Sequence, residues 1–290
     1  MRADTPDNAS VPVAERRPAR LRTVFCTRGG FFGALVLNRL LACDQIEICA
    51  IVRSSRSFHP AFGFFRGALA YLRRSGVAYS LYLFCATTLA DTLCGLSRVG
   101  AVPRSTRRHG VPVYTTRNIN DPAGLQFLRT CAPDLLVSAF FDQRLQEAAL
   151  AIPARGCVNI HPSLLPAFRG VDPWLQARLH RVPSVGVTVH YMTPALDTGN
   201  VVAQRQVARR AGASIFETTA LLFREGAELF AAEIGRVERG EPGTPQNLGG
   251  SYQSWPTRAE IRALHALGSV LIRLSDLARM LTWRPPVKYK

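Results

Sequence analysis

Acidic residues are scarce in this chain, and long apolar runs are missing. Twenty Asp and Glu stand against 36 Lys and Arg, a formal net charge of +16 over 290 residues. Such a surface repels cationic partners and attracts anionic metabolites, nucleic acid or acidic lipid in a salt-dependent way. No Cys-x-x-Cys pair occurs. The seven cysteines, at 26, 43, 49, 85, 94, 131 and 157, are odd in number and show no ligand spacing with the six histidines, which argues against a disulfide scaffold and a structural zinc and for reduced thiols in a cytoplasmic setting. Residues 1–20 lack an apolar h-region and so do not read as a secretory signal; their polar, Pro-, Ala- and Arg-bearing composition predicts a disordered leader. The uncharged stretch Ser75 to Ala90 has only sixteen residues, too few to span a bilayer comfortably. What is present is apolar content of 47%, enough for a real core in one large or two modest domains.

Apolar periodicity alternates between strand and helix. Thr23 to Thr27, Ile46 to Val52, Val111 to Tyr114, Asp134 to Phe140, Val185 to Met192 and Val201 to Val207 predict strands, with Val185 to Met192 half-buried by its alternation. Phe31 to Cys43, Asp121 to Thr130, Asp172 to Arg181 and Ser214 to Val237 predict helices. Ser214 with Glu217 and Thr257 with Glu260 have capping-box spacing. Alternating strands and helices predict an α/β fold, a doubly wound and mostly parallel sheet. Gly30 and Gly33 form part of a dinucleotide fingerprint whose first glycine is replaced by Arg28, so nicotinamide binding is not supported.

The stretch Gly156-Cys-Val-Asn-Ile-His-Pro-Ser-Leu-Leu-Pro-Ala-Phe-Arg-Gly170 carries the chemistry. On a strand, Asn159 and His161 share one face while Val158 and Ile160 share the other. Pro162 has no N–H to donate and marks the strand's carboxyl end, where open α/β sheets bind ligands. Taken alone, an Asn or His at a strand end is more often a satisfied polar group or a cap. The pattern Asn-Ile-His-Pro-Ser-Leu-Leu-Pro-x-x-Arg-Gly, followed by Leu196-Asp-Thr-Gly199 with its Asp 38 residues after the Asn, resembles the folate-dependent formyltransferases that act on glycinamide ribonucleotide, methionyl-tRNA and sugar amines.

That resemblance implies a Rossmann-like formyltransferase fold and a catalytic trio of Asn159, His161 and Asp197. The donor it implies is 10-formyltetrahydrofolate, contacted by Phe141, Gln143, Leu145, Thr198 and Gly199; Asp142 and Gln143 depart from the residues expected there. An acceptor amine would meet Gly29, Gly30, Ser163, Arg169, Gly170 and Trp174, with a phosphate at the Gly29-Gly30 turn and Trp174 either stacking or packing. Formyl transfer passes through a tetrahedral species whose oxygen is negative, so it needs donors and a proton route; no metal is required. His190 reads more simply as a polar residue on a sheet face, and Trp255 as an anchor for the C-terminal helices.

Residues 21–240 are thus expected to form the catalytic domain, interrupted at 54–110 by a helical insertion that departs from the family. From Arg53 to His109 there are nine arginines and one acid, Asp91. Its apolar segment predicts a helix packed on the sheet or, alternatively, an Arg-flanked helix lying on a membrane surface. Residues 241–290 read as a linker and short helices, where methionyl-tRNA formyltransferases continue into a β-barrel. A small-molecule amine, such as an amino sugar or nucleotide-linked sugar, is therefore the expected acceptor, with tRNA less favoured and DNA not implied. A noncatalytic binding protein on the same scaffold is the competing class.

Overall fold

Short β-branched runs alternate with amphipathic helices, and the parallel strands find their neighbours through crossovers. In this computed structural model, residues 20–56, 64–89, 92, 102, 109–247, 249 and 252–282 are described; the expected leader and much of the insertion's arginine content lie outside them. The chain opens with β1 (Leu21–Thr27), α1 (Gly30–Leu41) and β2 (Ile46–Ser54). Then come α2 (Phe64–Phe84), which runs into a π-helical turn (Cys85–Leu89), and β3 (Val113–Thr116). Next are α3 (Pro122–Cys131), β4 (Leu135–Ala139), α4 (Glu147–Leu150) and β5 (Cys157–His161). Asp121 starts α3 by accepting from the Gly124 N–H at 2.6 Å, with Pro122 at the first turn, where its missing N–H costs nothing.

After β5 the chain forms β6 (Arg169–Gly170), α5 (Pro173–Leu179), β7 (Val185–Tyr191), β8 (Val201–Val207), α6 (Ile215–Glu238), β9 (Tyr252–Gln253), α7 (Arg258–Ala266) and α8 (Leu274–Thr282). Among the described residues one seven-stranded sheet runs β3-β2-β1-β4-β5-β7-β8. The pairings from β3 to β5 are parallel, and β7 and β8 join antiparallel. This is the α/β, mostly parallel sheet that the sequence predicts.

The two faces are covered unequally. On one, α1 and α6 bury Phe31, Phe32, Phe216 and Phe223 against Val158, Ile160 and Val187. The other holds a smaller cluster, with Val24, Val52, Leu136 and Cys157 under Leu128 of α3. Asn159 and His161 belong to this second face, and the cluster ends short of them, leaving the strand ends for polar groups.

Three expectations are corrected. First, β7 is buried on both faces from Val185 to His190, because it lies inside the sheet and the 163–165 loop covers its second face: Thr188 Oγ1 donates to the Ser163 carbonyl at 2.7 Å and accepts from the Leu165 N–H at 3.0 Å. Second, α2 packs chiefly on α7, with Tyr71 and Tyr79 against Trp255, rather than on the sheet. Trp255 therefore anchors the insertion as well as the C-terminal segment. Third, only half of the Ser214 capping box forms: Ser214 Oγ accepts from the Glu217 N–H, while the Glu217 carboxylate pairs with Arg210 and Arg279. The Thr257 box closes in both directions.

At Gly226, α6 comes so close to the sheet that a Cβ would collide with the Ile160 and Val187 side chains. Both strands are fixed by the sheet and cannot retreat. Gly226→Ala is expected to cost about 1–3 kcal/mol through overpacking, read as a lower urea midpoint. An unchanged or raised midpoint would mean that the helix has room to move.

Candidate functional site

The antiparallel register sets Asn159 of β5 directly opposite His190 of β7. His190 Nδ1 lies 2.7 Å from the Tyr191 carbonyl oxygen, an acceptor only, so Nδ1 carries the proton. Its Nε2 is 3.2 Å from the Asn159 amide nitrogen and accepts from it, which is possible only while the ring is neutral. Burial pulls the His190 pKa down to about 4; Asp197 opposes that shift, His161 adds to it, and the Tyr191 hydrogen bond opposes it. His190 therefore fixes which way the Asn159 amide points.

His161 is buried two residues along the same face. Its Nε2 donates to the Phe168 carbonyl at 3.2 Å, and its Nδ1 lies 3.6 Å from Asp197 Oδ1. That same carboxylate oxygen is 3.7 Å from His190 Nε2, so one acid stands between two imidazoles. Asp197 Oδ2 accepts from the Gly170 N–H at 2.8 Å.

Asp197 reaches the strand end because its loop is held at several points. Its own φ is 56°, in the left-handed region, which a short polar residue tolerates. At Gly199 a Cβ would clash with the Tyr191 carbonyl oxygen, so the turn needs glycine. The Gln246 amide donates to the carbonyls of Asp197 and Gly199 at 3.3 and 2.6 Å. Nearby, β9 pairs with β6, Tyr252 opposite Arg169 and Gln253 opposite Gly170, and the Tyr252 ring edge lies against Gly170. Burial raises the Tyr252 pKa, and Asp197 raises it further.

Several expected contacts have other work. The Gln143 amide accepts from the Ile119 N–H at 2.8 Å and donates to Ser54 Oγ and the Thr116 carbonyl at 2.9 and 2.8 Å; it ties the ends of β2 and β3 to the β4 loop and has spent both its N–H donors within the protein. Leu145 is core, and Phe141 packs half-buried on the same cluster. Ser163 Oγ donates to the Ala167 carbonyl and Thr198 Oγ1 to the Ala195 carbonyl, so both hydroxyls close their own loops. Trp174 is buried, with the Arg209 guanidinium 5.7 Å from its ring centroid; it packs rather than stacks on an acceptor.

The Gly29-Gly30 turn also differs from expectation. A Cβ on Gly30 would lie 3.3 Å from the Ala86 carbonyl oxygen and 3.8 Å from that of Thr87. The insertion's π-helical turn thus places carbonyl oxygens at the start of α1, where a phosphate would be repelled. Arg169 and Gly170 lie beside Asp197 through the Gly170 N–H.

Residues not anticipated at the site are Gln246, Tyr252 and the pair Tyr79 and Asp172. The Tyr79 hydroxyl donates to the Asp172 carboxylate, so the insertion grips the loop that follows Gly170. Burial raises the Asp172 pKa to about 6, and the Tyr79 hydrogen bond opposes the rise. Asp142 pairs with Arg28 at 3.4 Å, and its Oδ1 is buried with no hydrogen-bond partner.

Two expectations follow. Gln143→Leu would leave the buried Ile119 N–H without its partner and remove one bond each from Ser54 Oγ and the Thr116 carbonyl, and is expected to lower stability by about 1–3 kcal/mol in urea unfolding; unchanged stability with lost folate binding would make Gln143 a cofactor contact after all. His190, lowered from 6.5 to about 4, contributes stability that is complete above pH 6.5 and is lost as pH falls toward 4. Asp172 shifts the opposite way across that range, so the comparison is with His190→Gln. The unfolding midpoint of the wild type is expected to fall more steeply between pH 6.5 and 4, and parallel profiles would contradict a neutral buried His190.

Residues 79–220 match the family described as formyl transferase. The methionyl-tRNA formyltransferase of Roseiflexus sp. (strain RS-1) is 38% identical over 190 residues, covering 64% of this chain and 57% of that protein. The chain spans about half the length of the curated relatives it matches. Glycinamide ribonucleotide transformylase 1 from Symbiobacterium toebii has a similar fold, with a TM-score of 0.56 at 18% identity over 80% of this chain and 97% of that one. A sugar N-formyltransferase from a Shewanella species aligns with a TM-score of 0.53 at 14% identity, over 80% of this chain and 76% of the other. Residues 79–220, just under half of the chain, thus carry the match to the formyl transferase domain.

Proposed function

We propose that the protein transfers a formyl group from 10-formyltetrahydrofolate to a primary amine of a small molecule, such as an amino sugar or nucleotide-linked sugar. The observation that carries this reading is the convergence of an amide, an imidazole and a carboxylate, from Asn159, His161 and Asp197, at the end of β5. The donor set suits the folate: a reduced pterin presents N–H groups, and Asp142 Oδ1 is a buried acceptor without a partner at the β4 loop. Bound there, 10-formyltetrahydrofolate supplies the formyl carbon and its carbonyl oxygen.

The chain's own residues then have separable tasks. One N–H of the Asn159 amide is spent on His190, and the other is free to meet an oxygen that gains negative charge. His161 Nε2 donates to the Phe168 carbonyl at 3.2 Å, at the long end of the usual range; exchanging that carbonyl for the reacting oxygen keeps the N–H satisfied. Asp197 orients the His161 ring and takes the proton that the amine must lose, directly or through one water, and that proton would pass to the folate nitrogen released when its bond to the formyl carbon breaks. Asp172, gripped by Tyr79 beside Gly170, offers a carboxylate to the acceptor's hydroxyls or ammonium. The carbonyls of Ala86 and Thr87 at Gly30 disfavour anchoring the acceptor by phosphate at that turn.

Methionyl-tRNA is the second acceptor, favoured by the name its sequence relatives carry. A panel of amino sugars, nucleotide-linked amino sugars and charged initiator tRNA, incubated with 10-formyltetrahydrofolate and followed by tetrahydrofolate release, separates the two. Turnover is expected with a small amine and not with the tRNA. In the active pairing Asn159→Ala, His161→Ala and Asp197→Ala are each expected to lose at least about 100-fold in rate while folding normally. Wild-type rates in any of the three would refute the assignment, and turnover of the tRNA alone would move it to the second acceptor.

A further inference from the structure

Helix α2 is apolar on both sides. Its inner face, Tyr71, Ser75, Tyr79 and Tyr82, is buried against Trp255 and the core. On its outer face Val77 is 73% exposed, Leu81 58%, Phe84 50% and Leu69 45%. After the break at Gly76, the outward positions Val77, Ala78, Leu81 and Phe84 are all uncharged, and their spacing makes one stripe along a helix. A solvated helix face ordinarily carries charged residues, and a contiguous exposed apolar patch marks an interaction site.

The charge beside this stripe indicates what covers it. No acidic residue occurs in Phe64–Phe84. Arg73 and Arg74 are exposed just before the break at Gly76, and Arg258 and Arg262 are exposed on α7, which packs alongside. Arg258 reaches across to donate to the Leu72 carbonyl at 2.8 Å, so the basic groups of the two helices share one surface. The acid nearest them on α7, Glu260, is engaged in its own capping box with Thr257. An apolar stripe rimmed by guanidinium groups is the chemistry of a helix lying in the headgroup region of an acidic bilayer. A nucleic acid would find no hydrogen-bonding group along Val77, Ala78, Leu81 and Phe84. Among the described residues no helix is long and apolar enough to cross a membrane, so the contact would be peripheral.

We propose that the outer face of α2, with Arg73, Arg74, Arg258 and Arg262, docks the protein on an anionic lipid surface. The inference rests on the outer face of α2 and not on Asn159, His161 or Asp197, so it stands or falls independently of the catalytic reading. The test is co-sedimentation of the full chain with phosphatidylserine/phosphatidylcholine vesicles, with pure phosphatidylcholine vesicles as control, at low and high NaCl. Binding is expected to the anionic vesicles alone and to weaken with salt. The double variant Val77→Glu/Leu81→Glu is expected to bind at least tenfold more weakly, as is Arg73→Glu, each with an unchanged thermal unfolding midpoint. The proposal is overturned if the wild type ignores anionic vesicles at low salt, or if both variants bind like the wild type. It is also overturned if the face instead holds a second copy of the chain or tRNA while vesicle binding is absent.

Discussion

The site depends on keeping one imidazole uncharged beside a carboxylate. Asp197 Oδ1 lies 3.6 Å from His161 and 3.7 Å from His190, and it favours a proton on the His190 ring. Burial decides for His190 against the pull of Asp197, because charging a ring in a site closed to water costs more than one partly shared acid returns. The bare Nε2 that results is what the Asn159 amide donates to. A protonated His190 would turn that contact into two opposed donors and release Asn159 from its orientation.

Topology brings these groups together from three separate segments. The parallel half of the sheet ends with β5, and β7 returns antiparallel beside it, which is how a histidine 31 residues away comes to face Asn159. The loop from Tyr191 to Asn200 then folds back, held by Gln246 and by the glycine that Tyr191 requires. Residues beyond α6 are therefore part of the site's support: β9 pairs with β6, Gln246 grips the Asp197 loop, and Trp255 joins the insertion to α7. The insertion in turn closes the Gly30 turn and holds Asp172. The candidate site is thus walled by segments outside the Asn159–Gly170 motif.

What could be read from the sequence was local or carried by the motif. Alternation along β5 and the stop at Pro162 put Asn159 and His161 on one face at a strand end, and the resemblance added Asp197. The long-range terms were hidden. Gln143 looks the same in a sequence whether its amide faces a cofactor or ties three backbone and side-chain groups together. His190 alternates as any sheet residue does, and only the β5–β7 register shows that its ring meets Asn159. Half of the Ser214 box does not form because Arg210, seven residues before, and Arg279, 62 residues on, claim the Glu217 carboxylate. The Gly30 turn was misread because the carbonyls that fill it come from an insertion with no counterpart in the motif. Charge counts along 53–109 suggested a basic surface, yet which side of α2 faces outward required its packing on Trp255.

The most direct test of this arrangement is the protonation pattern of the His190 ring at neutral pH, measured by nitrogen-15 NMR on histidine-labelled protein and assigned by comparison with His190→Gln. The ring is expected to be neutral, with the proton on Nδ1 and Nε2 shifted as a hydrogen-bonded acceptor. A doubly protonated ring, or a neutral one carrying its proton on Nε2, would contradict the orientation assigned to Asn159 and the account of the site built on it.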